Sequence, residues 1–92
     1  MSDDALIKQL RQQISDTDRS IVDAINARLR LVARLKRYKE SRGIGFVDPH
    51  REEWMLQYLS RANRGPLSPE GLRELFAAVL ELTKREVERG EP

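Results

Sequence analysis

Along the first forty positions apolar residues recur at three- and four-residue steps: Ile7, Leu10, Ile14, Ile21, Ile25, Leu29, Val32 and Leu35. That spacing is the helical period, and no Gly or Pro interrupts it. It predicts one helix from about Asp3 to Glu40, ended by Gly43, a residue at ease in the left-handed conformation that closes helices. A second helix opens at Asp48-Pro49, a good N-cap followed by a ring preorganised for the first helical position. It runs through Trp54, Met55, Leu56 and Leu59 to about Asn63 and stops at Gly65-Pro66. The third opens in the same way, at Ser68-Pro69-Glu70, and frays near Gly90. Leu72, Leu75, Phe76, Val79, Leu80, Thr83 and Val87 make its inner face. No stretch alternates with period two. The expected fold is all-α, a single domain over residues 1–92 with one long N-terminal helix and two shorter ones.

Length changes this picture. A helix of about 38 residues is roughly 57 Å long, against a radius of gyration of about 13 Å for a compact domain of 100 residues. The two shorter helices, roughly 24 and 33 Å by the same rise, line the long one once and leave an apolar flank uncovered. A second copy buries that flank, so a homodimer is expected, with the long helices packed antiparallel. The alternative is an elongated monomer.

Composition narrows the setting. The chain has no cysteine, which excludes disulfides and thiolate metal sites. The stretch Met1-Ser2-Asp3-Asp4 is acidic and lacks the apolar core of a secretory signal. No apolar run approaches a membrane span. These features point to a reducing, cytoplasmic location without membrane insertion. Charged residues make up 35%, both signs interspersed, and the net charge is only +2, which argues against nucleic acid as a partner. Aromatic residues, at 5%, are too few for a base-stacking platform.

Charge also falls where the pattern calls for apolar residues. On a helical wheel the apolar positions of the first helix occupy an arc of roughly 120°. Arg11, Asp18, Arg28, Lys36 and Lys39 fall in that arc or at its edge. Arg28 and Lys39 lie nearly in line, with Val32 and Leu35 between them. A buried cation needs a partner, and acidic residues on the stripe are too few to supply one for each. Two readings stay open. The side chains snorkel, with stems buried and heads in water. Or an anionic small molecule completes the pairing, gripped by planar Arg forks and a movable Lys charge.

The second helix adds candidates. Asp48 is at least a cap, and Glu52 in the first turn is favoured by the helix dipole. Arg51 in that turn is not, which hints at another duty. His50, the sole histidine, is given no chemistry, and Trp54 and Met55 are read as packing.

These residues, in this order, resemble the all-helical chorismate mutases. The stretches that carry the resemblance are Leu10-Arg11-Gln12-Gln13-Ile14, Asp18, the run around Arg28, and Lys36 to Lys39. Phe46-Val47-Asp48-Pro49-His50-Arg51-Glu52-Glu53-Trp54-Met55-Leu56 follows, and then Leu75-Phe76 through Thr83. The resemblance covers nearly the whole chain. It implies an intertwined homodimer with two equivalent sites shared between subunits, and the Claisen rearrangement of chorismate to prephenate on the route to phenylalanine and tyrosine. It implies no cofactor and no metal. Some relatives are fused to, or activated by, the first enzyme of the shikimate pathway, so a complex with that enzyme is a further implication.

Carried over by position, Arg28 grips one substrate carboxylate and Arg11 reaches another from the partner subunit. Lys39 contacts a carboxylate and the ether oxygen of the breaking bond. Asp48, Arg51 and Glu52 surround the ring hydroxyl, with Glu52 accepting its hydrogen bond. Thr83 lies near a carboxylate, and Leu35 forms part of the apolar wall. One position departs from the pattern. Eleven residues after the Phe that Phe76 matches, the family usually has Gln or Glu as a second donor to the ether oxygen; here it is Val87. Lys39 then acts alone, or Glu86 serves through a shifted register, and a weaker enzyme is expected. Two alternatives accompany this reading. Isochorismate-pyruvate lyases share the fold and the Arg and Lys set. A non-catalytic regulatory or dimerisation module would let Arg11, Arg28 and Lys39 be replaced by Leu with a gain in stability.

Overall fold

A computed structural model describes residues 4–89 of the chain. It contains three α-helices, α1 (Ala5–Ser41), α2 (Pro49–Ala62) and α3 (Pro69–Glu88), and no strand among the described residues. The all-α, three-helix expectation holds. The ends expected at Asp3 and Gly90 lie outside the described residues.

Each helix end has a local cause. Asp4 caps α1: its Oδ1 accepts from the backbone N–H of Leu6 at 2.8 Å and of Ile7 at 3.4 Å. At the other end Gly43 sits at φ +69°. The Ile44 N–H donates to the Lys39 carbonyl at 2.8 Å and the Gly43 N–H to the Glu40 carbonyl at 3.2 Å. Those two bonds form a Schellman closure, which needs a left-handed residue and finds it in glycine. Asp48 caps α2, accepting from the Arg51 N–H at 3.2 Å, with Pro49 opening the helix. Asn63 ends α2 and stitches the following turn: its Nδ2 donates to the Leu67 carbonyl at 2.8 Å, and its Oδ1 accepts from the Gly65 N–H at 3.0 Å. Ser68 caps α3, its Oγ accepting from the Gly71 N–H at 2.9 Å. Ser68→Ala is expected to cost about 1 kcal/mol of stability and to lower the midpoint of thermal unfolding followed by circular dichroism.

The chain divides into two compact units, residues 1–31 and 32–92. The first consists, over its described residues, of the N-terminal part of α1. Its apolar stripe is not covered by its own chain: Ile7 is 44% exposed, Leu10 47%, Ile14 60% and Ile21 55%. The stripe read from the sequence as buried is thus exposed from Ile7 to Ile21, whereas Ile25 and Leu29 further along it are half-buried.

In the second unit α2 packs on α3. The buried positions are Ala33, Leu72, Val79, Thr83 and Val87, four of them on α3. Those four recur at steps of seven, four and four residues, one face of the helix. Leu75, expected on that face, is 48% exposed. It lies about 60° from Leu72 on the wheel, on the side away from Thr83 and Val87, so it falls at the flank of the buried arc.

Candidate active site

In the second unit three of the candidates, Asp48, Arg51 and Glu52, lie at the start of α2. After the Schellman turn at Gly43 the chain brings the Phe46 carbonyl to 3.4 Å from the Lys39 Nζ, which donates to it. Lys39 is half-buried. Lys36, one turn earlier, pairs with Glu40 at 2.9 Å. One of the surplus cations read on the stripe is thus neutralised within α1.

The first turn of α2 holds Asp48, Arg51 and Glu52 together. Asp48 acts as a cap, and its carbonyl also accepts from the Glu52 N–H at 3.1 Å. Glu52 is half-buried, and its Oε2 lies 3.7 Å from the Lys84 Nζ on α3. The Arg51 guanidinium lies 4.2 Å from the centre of the Trp54 ring, in cation–π contact. Trp54 in turn stacks on Tyr58, with centroids 5.2 Å apart and planes 4° from parallel. Arg51 in the first turn, which the dipole does not favour, has an aromatic neighbour on its own helix. Trp54, read as packing, packs on Arg51 and Tyr58 of its own helix and is 50% exposed.

On α3, Thr83 and Val87 are buried, and the Thr83 hydroxyl donates to the Val79 carbonyl at 2.6 Å. Val87 presents no donor. Glu86 pairs with Arg89. Leu35, in the last turns of α1, is 49% exposed.

Arg11 and Arg28 belong to the first unit. Arg11 is exposed, whereas Arg28 is half-buried, and that burial pushes its guanidinium down from the ordinary arginine value. An arginine starts so high that Arg28 stays a cation at physiological pH. Desolvation of this kind strengthens its attraction for an anion.

Sequence reasoning missed Lys84. Its only signal there was position: it borders the apolar arc of α3, three residues before Val87. Which residue it would meet depends on how α3 lies on α2, and periodicity does not carry that.

Among the described residues no helix is long and apolar enough to cross a membrane. The chain is similar to two solved structures from Thermus thermophilus. One is chorismate mutase form II, 34% identical, with a TM-score of 0.86 over 94% of this chain and 98% of that one. The other is form I, 35% identical, with a TM-score of 0.81 over 84% of this chain and 96% of that one. It is also similar to two bifunctional chorismate mutase/prephenate dehydratases, from Stutzerimonas stutzeri (32% identical) and Pseudomonas aeruginosa (33%). Each match covers 87% of this chain, which spans 23% of the length of either curated relative. The profile of the chorismate mutase type II family matches residues 10–88, and the chain belongs to that family.

Proposed function

We propose that the chain rearranges chorismate to prephenate, acting as an intertwined homodimer with two sites shared between subunits. The observation that carries the reading is the family match over residues 10–88, a span that includes every candidate site residue from Arg11 to Val87. The exposed apolar residues of α1, Leu10 and Ile14 among them, support the dimer, because a face of this kind is what a second copy would cover.

The chemistry needs no covalent step. Chorismate is a flexible dianion that must fold into a chair before its ends bond. Arg28 and the partner subunit's Arg11 hold its carboxylates and select that shape. Negative charge grows on the ether oxygen as its C–O bond stretches, and Lys39 meets it there, binding the transition state more tightly than the ground state. Glu52 accepts from the ring hydroxyl, Asp48 and Arg51 surround it, Thr83 lies near a carboxylate, and Leu35 adds apolar wall. A millionfold acceleration corresponds to about 8 kcal/mol, within reach of positioning plus one well-placed cation.

Val87 makes this a weaker enzyme than relatives with Gln or Glu at that place. Val87→Gln is expected to raise kcat by up to about a hundredfold, the scale of one donor to a developing oxyanion. It is also expected to cost about 1–3 kcal/mol of stability wherever the buried amide lacks a full set of partners. Steady-state kinetics beside thermal melts measure both. Unchanged or lower turnover counts against the alignment of α3.

The test of the whole reading offers chorismate and isochorismate side by side to the purified chain. Prephenate from chorismate is the expected product. Salicylate plus pyruvate from isochorismate transfers the assignment to the lyase. Turnover of neither leaves a non-catalytic helical module.

A further inference from the structure

The ion pair between Glu52 and Lys84 joins the first turn of α2 to the last turns of α3. We infer that Lys84 is a positioning residue for substrate recognition: it fixes the Glu52 carboxylate in the orientation that accepts the hydrogen bond of the ring hydroxyl. The inference rests on the reading of the chain as a chorismate mutase.

Three observations carry it. First, the pair spans two helices, with Nζ 3.7 Å from Oε2, so the direction of the Glu52 carboxylate depends on a group outside α2. A glutamate has several rotatable bonds, and an exposed one samples many rotamers; a cation on the facing helix narrows that set. Second, the two side chains are 32% and 35% exposed. Pairs with this much solvent contact add little to stability, so stabilising the fold is a poor account of the pair. Third, Lys84 follows Thr83 directly and precedes Val87 by three residues, and both of those are buried. The segment of α3 that meets Glu52 is thus the one carrying the other α3 site candidates.

The acceptor geometry fits. A carboxylate offers about four lone-pair sites over two oxygens. Lys84 draws on Oε2, which leaves acceptor capacity for a hydroxyl, and a lysine is a point charge that orients without demanding a bidentate geometry.

The test is Lys84→Met, which keeps the stem and the helix propensity and removes the ammonium. It is assayed on chorismate and on a chorismate analogue with hydrogen in place of the ring hydroxyl. With chorismate, kcat/KM is expected to fall about tenfold, the scale of losing one charge-assisted orientation. With the analogue it is expected to stay near wild type, and Lys84→Arg is expected to recover most of the loss. Circular dichroism checks folding, and Lys84→Gln repeats the measurement if the Met variant does not fold. An equal loss on both substrates, or no loss on either, overturns the role of Lys84 and leaves the reaction intact. A wild-type chain without chorismate turnover overturns the reaction, and the role of Lys84 with it.

Discussion

Arg11→Ala and Arg28→Ala are each expected to cut chorismate turnover by at least about a thousandfold. An equimolar mixture of the two, after subunit exchange, is expected to regain about a quarter of the wild-type specific activity. Symmetry sets that fraction. If each site takes Arg28 from one chain and Arg11 from the other, a mixed dimer has one site lacking both and one lacking neither. Random exchange makes about half the dimers mixed, and half of their sites are intact. The exposed apolar positions of α1 that flank Arg11, Leu10 at 47% among them, are where the second chain would lie. Arg28 brings a guanidinium already partly desolvated, so its loss removes a strong anion contact rather than a hydrated one. Partial refolding of the mixed variants, followed by the prephenate assay, reads the outcome. No recovery on mixing would place both arginines of a site on one chain.

Lys39→Ala is expected to lower kcat by about 10²- to 10³-fold with a smaller change in KM, the pattern of an interaction made chiefly in the transition state. In the structure the ammonium donates to a neutral carbonyl, that of Phe46, at the long distance of 3.4 Å. An ammonium has three donors, so that contact holds the side chain near the loop without using up its charge. On the proposed assignment Val87 supplies no second donor, which would leave Lys39 a greater burden than in a relative with the full set. Steady-state kinetics on chorismate decide the matter. A raised KM with kcat intact would reduce Lys39 to a carboxylate anchor.

The helices were legible because their limits are written locally. Asp48-Pro49 and Ser68-Pro69 are start signals whose physics lies within one turn, and Gly43 is a stop whose left-handed φ needs only its own missing side chain. The start of α1 shows the limit of periodicity: an unbroken apolar pattern marks a helix, while the cap, here Asp4, sets where it begins. Less legible was what each polar side chain meets. Lys36 looked like a surplus cation on a wheel, which shows angle but does not register that Glu40, one turn on, is within reach. Trp54 was legible as packing, but the wheel does not register that its partners are the Arg51 guanidinium and the Tyr58 ring on its own helix. The Glu52–Lys84 pair was invisible because it belongs to the crossing of α2 on α3, which neither sequence pattern contains. Of the candidate site, the set around the start of α2 is held together by one helical turn. The roles of Arg11 and Arg28 rest on the resemblance and on the symmetry experiment above.

The stack of Arg51 on Trp54 gives the protein a built-in optical probe. The chain holds a single tryptophan, so its fluorescence is not diluted by emission from distant indoles. That indole lies in van der Waals contact with a guanidinium of the candidate site. A ligand that draws Arg51 off the ring alters the polarity and charge at the indole face. Titration with a dianionic ligand can then be followed through native emission, without a label and without turnover.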